Sequence, residues 1–267
     1  MDLTFLIPIR IETDDRLRNV ISSVSYLLRH IPANVIVKEV SNHPTFKFRA
    51  LPEIKKYVDI SNLQYFYEES EDPWFCKSKV LNDLIVASNT KVVANYDADC
   101  ILPLSSYFSA YEAIDSDQVD IVYPYGCGIY QWKTEYNMQI FEEFINSLDT
   151  SILDKNKTLS NSTIGWTQFI NRQKYIDSYM MNENFVSWGC EDDEFYYRMS
   201  VLGNRIARID DYVYHLEHSR TNNSWFSNPN FNNNYQLWNT IKTFDKIKLI
   251  SYYEQQDYLQ KRRTQLK

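Results

Sequence analysis

Between Leu3 and Val40 the chain alternates between two hydrophobic periods, and that alternation limits the possible folds more than any other feature. Leu3–Ile9 is a short apolar run with Ile and Phe, stopped by Pro8 and a charged segment, which predicts a buried strand. Leu17, Val20, Ile21, Val24, Leu27, Leu28 and Ile31 then recur at intervals of 3, 1, 3, 3, 1 and 3 residues. That spacing marks one face of a helix, with Asp14 or Thr13 as its N-cap. Val35–Val40 returns to β-branched residues broken by Lys38 and Glu39, and Asn62–Glu68 reads as a third strand. A helix over roughly 76–88 and a buried strand over Lys91–Asn95 follow. The order strand, helix, strand, strand, helix, strand predicts an α/β chain with a central, open, mostly parallel sheet. Ligands of such sheets sit at the carboxyl ends of strands, where Arg10, Glu39 and Asp97 fall.

Beyond Asn95, Pro103–Ala113 reads as a helix, Gln118–Tyr123 as a strand and 135–148 as a helix in an otherwise irregular stretch from 130 to 160. Gly165–Asn171 leads into a helix near Arg172. Glu191-Asp192-Asp193-Glu194 opens another helix, where the dipole favours acids, and Gly203 closes it. Arg205–Ile209 and Tyr212–Leu216 are short extended segments; an Asn-rich stretch then turns helical near 236. No linker separates autonomous units, and no repeat is present.

Composition excludes several classes. The 267 residues suffice for one sizeable core, or two small ones, without disulfides. A net charge of −7 argues against a nucleic-acid partner, whose footprint is normally basic. Cys76, Cys100, Cys127 and Cys190 lie 24, 27 and 63 residues apart, so they read as reduced thiols and not as a disulfide framework or zinc knuckle. No run approaches the roughly 18 apolar residues of a membrane span. The start at Met1 lacks a basic leader, so the expected location is cytoplasmic. Aromatic residues reach 15%, which fits either sugar-handling clefts or a drift in codon usage. Lys261, Arg262, Arg263 and Lys267 make a basic C-terminal end. It reads either as a peripheral contact with anionic lipid at the inner membrane face or as a solvated helix end.

Three constellations carry chemistry. Asp97-Ala98-Asp99 follows a buried strand, and two carboxylates on such a turn suit Mg²⁺ or Mn²⁺; a solvated turn is the plain alternative. Trp188-Gly189-Cys190-Glu191-Asp192-Asp193 sets an indole beside several carboxylates, one of which can act as general base on a hydroxyl. An acidic cap with a core Trp accounts for only one or two of those acids. In Tyr214-His215-Leu216-Glu217-His218-Ser219-Arg220 two of the four histidines lie three apart. They can share a metal if the segment turns, but not if it stays a regular strand.

In this order the three elements resemble the GT-A nucleotide-sugar glycosyltransferases. The likeness is to the beta-1,4-galactosyltransferase and chondroitin-polymerase type, with the polypeptide N-acetylgalactosaminyltransferases more distant. Ile7-Pro8-Ile9-Arg10 is similar to the family's opening strand, so Pro8 and Arg10 are expected at the nucleotide. Lys77, Lys79 and Asn82 resemble the basic helix before the metal motif, and Glu39 is expected near the uracil or ribose. Asp97-Ala98-Asp99 resembles the Asp-x-Asp motif, with Asp99 on the metal. Trp188-Gly189-Cys190-Glu191-Asp192 resembles Trp-Gly-Gly-Glu-Asp, with Asp192 as base and Glu191 at the acceptor. His218 resembles the Mn²⁺ ligand, and His215 stands where those enzymes place a methionine ligand.

There are three departures: Cys190 for the second glycine, Ile11-Glu12 after Arg10, and Gly165-Trp166 where a Gly-Gly pair is usual. Trp166 is therefore expected to close part of the sugar pocket.

The likeness covers roughly residues 3–222. It implies a domain over 1–230, with a nucleotide-binding half (1–100) and an acceptor and metal half (101–230), and a helical extension over 231–267. It further implies an inverting, metal-dependent transfer of a hexose or N-acetylhexosamine, galactose or N-acetylgalactosamine favoured, from a UDP-sugar. The acceptor would be an oligosaccharide or lipid-linked glycan, and Trp188 would stack on sugar. A retaining transferase, a non-catalytic sugar-binding module and a metal-dependent nucleotidyltransferase or phosphohydrolase remain as rivals.

Overall fold

A computed structural model of the chain describes residues 1–160 and 164–266. Strand β1 (Leu3–Ile9) is buried along its whole length, and helix α1 (Asp14–His30) follows, capped by the Thr13 side chain. Strand β2 (Asn34–Ser41) leads through a π-helical turn at Phe46–Ala50 into α2 (Leu51–Tyr57) and then β3 (Leu63–Glu69). This crossover corrects the predicted strand-to-strand order. Strands β2 and β3 are parallel, and parallel neighbours need a long connection, usually helical. Next come α3 (Lys77–Ala87), β4 (Val92–Tyr96), the two-residue β5 (Cys100–Ile101), α4 (Leu104–Asp115) and β6 (Ile121–Tyr123).

The stretch read as irregular holds more order than expected. It contains β7 (Gln131–Thr134), α5 (Met138–Ser147), the one-turn α6 (Ser151–Asp154) and β8 (Lys157–Leu159). Then follow β9 (Thr167–Asn171), α7 (Arg172–Asp177), α8 (Glu191–Leu202), β10 (Ile206–Arg208) and β11 (Val213–Leu216). Three helices end the chain: α9 (Phe231–Ile241), which starts ahead of its predicted position, α10 (Lys246–Glu254) and α11 (Asp257–Gln265).

The main sheet has seven strands in the order β10-β6-β9-β4-β1-β2-β3, parallel except where β9 runs against β4 and β6. Both faces are covered, which explains the unbroken apolar run of β1. Phe5 and Ile7 face one core with Val24, Leu27 and Tyr107, while Leu6 faces the other with Val80, Leu84 and Phe195. The C-terminal helices join that second core through Ile241, Leu249, Tyr253 and Leu259.

A smaller sheet, β5-β11-β7-β8, matters most for the site. It pairs His215 with Cys100, and Leu216 N–H donates to Asp99 O at 2.7 Å. The late histidine segment thereby lies directly against the Asp97-Ala98-Asp99 turn.

Among the described residues no helix is long and apolar enough to cross a membrane. The basic C-terminal end is partly neutralised. Arg262 is buried against Asp83 and Glu183, and Arg263 pairs with Glu254 at 2.7 Å. Lys267 lies outside the described residues.

Candidate active site

A cleft opens at the carboxyl ends of β1 and β4. Its lining brings together most of the residues singled out in the sequence. Pro8 and Arg10 enter from β1, Lys77 from the start of α3, and Asp97 and Asp99 from the turn after β4. Trp166 precedes β9, and Trp188, Glu191 and Asp192 come from the turn that opens α8. His215 and His218 complete the wall.

Asp99, His215 and His218 form the one cluster of potential metal ligands among the described residues, their ligating atoms all within 4.8 Å of one another. His218 Nε2 lies 3.0 Å and His215 Nε2 3.7 Å from Asp99 Oδ2. Strand β11 ends at Leu216, so the chain turns between the two rings, which is why residues three apart can face one point. Each ring's other nitrogen is engaged: His215 Nδ1 lies 2.9 Å from Glu217 Oε1, and His218 Nδ1 3.0 Å from Ser219 O. With Nδ1 so engaged, Nε2 is the nitrogen of each ring turned towards Asp99 and placed to meet a metal. Trp166 stacks on His215 with ring centroids 5.3 Å apart, so it braces a ligand as well as lining the cleft. One carboxylate and two imidazoles suit a divalent first-row metal ion. Burial opposes the charge on Asp99, but His215 and His218 outweigh it and hold the carboxyl well below its usual range.

Behind this cluster lies a chain of charge. Lys77 Nζ is 2.8 Å from Asp97 Oδ1 and 3.9 Å from Asp192 Oδ2. Burial works against its charge, yet Asp192, Asp97 and Glu191 together raise it well above the ordinary lysine value. Asp97 is pushed up to about 7, by burial first, with Lys77 pulling against the repulsion of Asp99 and Asp192. Burial and the Asp192 charge likewise move Glu191 up to about 7.

The turn before α8 is unusual. Ser187, Gly189 and Cys190 all have positive φ, of 61°, 121° and 69°. Cys190 therefore occupies a left-handed position that favours glycine, at a cost of about 1–2 kcal/mol. Gly189 N–H donates to Glu191 Oε2 at 2.9 Å, closing the turn on the residue expected at the acceptor.

Three expected residues are not in the cleft. Glu39 is buried in β2, where it accepts from the Thr45 and Phe46 amides and the Tyr65 hydroxyl, capping the helical crossover to β3. Lys79 follows Lys77 by two positions on a helix, which turns it to the opposite face, where it pairs with Glu68 at 2.9 Å. Asn82 is buried and clamps the Met181 backbone through both its amide atoms.

Sequence reasoning missed Phe75, Arg16, Asn19, Arg220 and Asn223, all on the cleft wall. Arg16 Nε and Nη2 and Asn19 Oδ1 are buried without a hydrogen-bond partner among the described residues. The signal for this pair was its spacing, three residues apart in the first turns of α1 just after β1. Asn223 accepts from Phe75 N–H at 2.9 Å and from the Ser187 hydroxyl at 2.9 Å, a role no local pattern announces.

A family model described as the N-terminal domain of galactosyltransferase matches residues 154–219, the stretch holding Asp192, His215 and His218. No curated protein sequence matches the chain. Among solved structures it is similar to GalNAc-T7 with UDP, GalNAc and Mn²⁺, at TM-score 0.58 and 14% identity over 85% of this chain and 44% of that one. It is also similar to S. aureus TarS 1–349 with UDP-GlcNAc, at TM-score 0.60 and 15% identity over 94% of this chain and 69% of that one. The chain has the GT-A glycosyltransferase fold. The mannosyltransferase PcManGT from Pyrobaculum calidifontis, with GDP-Man and Mn²⁺, shares this GT-A likeness at TM-score 0.53 and 13% identity over 81% of this chain and 56% of that one. The chain spans less than half the length of the GalNAc-T7 structure.

Proposed function

We propose that the protein is an inverting, divalent-metal-dependent glycosyltransferase that moves a hexose or N-acetylhexosamine from a UDP-sugar to a hydroxyl of a glycan acceptor. The observation that carries this reading is the shared cleft: the Asp99, His215 and His218 cluster stands across from Asp192, with Lys77 between the carboxylates of Asp97 and Asp192. A divalent ion on that cluster would offset the negative charge that builds on the departing diphosphate. Arg16, with unpartnered guanidinium nitrogens at the cleft wall, is the chain's own donor for phosphate oxygens. Asp192 takes the proton from the attacking hydroxyl, and Glu191 orients the acceptor. Trp188 and Trp166 line the same cleft and bound the space left for a sugar. Galactose and N-acetylgalactosamine are the favoured donor sugars, on the likeness of residues 154–219 to the galactosyltransferase model.

Asp192→Asn tests the base. It preserves shape and removes the proton-accepting oxygen, so UDP and Mn²⁺ binding by calorimetry stay near wild type while transfer falls about 10²–10⁴-fold. Transfer at a near wild-type rate, or a product that keeps the donor's anomeric configuration by NMR, overturns the inverting assignment.

A further inference from the structure

Outside the catalytic cleft the largest unexplained feature is a row of aromatic rings on the segment that follows His218. Trp188, on the cleft wall, is stacked by Trp225 at 6.2 Å and 29° and by Phe231 at 5.7 Å and 24°. Tyr235 continues the row against Phe231 at 6.1 Å and 17°, and Phe226 meets Trp188 edge-on at 4.9 Å. Burial does not account for this cluster, because Trp225, Phe226 and Tyr235 are 45%, 59% and 50% exposed. Adjacent rings left in water on one face mark a binding surface more often than chance.

The rings are held in place. Asn228 donates to Trp188 O at 3.0 Å, and Asn234 both donates to Val186 O at 2.9 Å and accepts from Val186 N–H at 3.2 Å. The segment is thereby fastened to the turn that carries Trp188. While these asparagines point inward, Asn222, Asn232 and Asn233 of the same segment stay exposed. An amide both donates and accepts, which matches the hydroxyl groups of sugars, and the exposed parts of the Trp225, Phe226 and Tyr235 rings offer apolar surface to a sugar's C–H groups. The surface is also continuous with the cleft through Trp188 and through Arg220, whose guanidinium lies 5.3 Å over the Trp225 ring.

We propose that Trp225, Phe226 and Tyr235, backed by the Trp188 and Phe231 rings, form a glycan platform that binds two or more sugars of the acceptor chain beyond the one receiving the transfer. Its place as an acceptor site rests on the glycosyltransferase reading above. Preorganised rings and rim amides select a chain of neutral hydroxylated units, so an oligosaccharide is held better than a single sugar.

The test is a glycan array presenting mono- to tetrasaccharides of glucose, galactose and N-acetylhexosamine chains. Wild type should retain glycans of two or more sugars over monosaccharides, and a Trp225→Ala, Phe226→Ala double variant should lose about tenfold of that retention. Ile247→Ser, at an 80% exposed apolar position on α10, is the control and should match wild type. Circular dichroism on each variant separates lost binding from lost folding, and Tyr235→Ala provides a milder second test.

The platform is overturned if wild type retains no glycan, shows no preference for length, or loses nothing in the double variant. It is equally overturned if the face instead supports flotation on phosphatidylcholine–phosphatidylglycerol vesicles, or a dimer in sedimentation, that the double variant abolishes. Titration of wild type with UDP and Mn²⁺ examines the donor site separately. If that binding is absent while the array result holds, the glycan surface stands and its acceptor role falls.

Discussion

Gly165→Ala should cripple transfer while leaving the fold intact. The Gly165 backbone lies outside the left-handed region, so alanine meets no conformational penalty there. The obstacle is Asp192: an added Cβ would stand 2.7 Å from its Cγ and closer still to Oδ2. Carbon atoms rest at about 3.5–4.0 Å, so the carboxylate has to retreat by roughly 1 Å. A rotation of that size costs about 0.5–1.5 kcal/mol of side-chain strain, which is small beside a domain's stability. Its effect on catalysis is larger, because a 1 Å misplacement of a reacting group costs about 10²-fold. UDP release from UDP-galactose, with and without acceptor, should therefore fall about 10²-fold while Mn²⁺-dependent UDP affinity stays within about twofold. A variant turning over within about twofold of wild type would show that the Asp192 position carries no catalytic weight, and the base assignment would go with it.

Glu217→Gln removes the charged acceptor that orients His215, and affinity for Mn²⁺ alone should drop about 10–100-fold by calorimetry; unchanged affinity means that His215 needs no such partner. Acid stability should depend on Glu68, which a hydrogen bond from Lys38 holds down to about 2 against burial, with Lys79 assisting. Its folded pKa lies below its unfolded one, so the stabilisation is complete above about pH 4.5 and is lost as pH falls towards about 2. With the side chain 37% exposed, screening leaves about 1 kcal/mol, read as a smaller loss in Glu68→Gln than in wild type between urea unfolding curves at about pH 5 and about pH 2.5. Arg262→Ala takes a shared partner from Asp83, which keeps Lys38, and from Glu183, which keeps Asn82, and should cost about 2 kcal/mol in denaturant unfolding; a loss below about 1 kcal/mol would show that this end is held by other contacts.

The main sheet was legible because its strands and α1 obey one hydrophobic period each. The helical crossover over 46–57 was harder to see. Phe46, Ala50 and Ile54 do form a buried stripe at helical spacing, but Pro44 and Pro52 punctuate it, and proline ordinarily marks a break. The stronger clue lay in topology, since two parallel strands cannot be joined without such a segment. Strands β7 and β8 escaped for a different reason. Each is four residues or fewer and mostly polar, with Leu159 exposed, so neither shows the alternation that betrays a strand buried on one face. In the cleft, the motif residues were legible because their chemistry is rare and their order fixed. Glu39, Lys79 and Asn82 misled because a charged or amide side chain near a strand end looks the same whether it meets a ligand or satisfies the backbone.

The turn from Ser187 to Cys190 shows why the segment after His218 could not be read locally. Three left-handed residues within four positions persist only where the surroundings fix them more firmly than the strain can undo. Here the fixing groups come from far along the chain: Asn223 takes the Ser187 hydroxyl, Asn228 and Asn234 hold the backbone at Val186 and Trp188, and the Phe231 ring fills the space where a Gly189 side chain would stand. The Asn-rich composition of 222–234 therefore has a structural purpose, since short amides can bond a strained backbone from the side. By holding the strained turn it also keeps Asp192 in place at the head of α8. Phe231, which backs the aromatic platform, thus also helps to hold the turn that leads into Asp192.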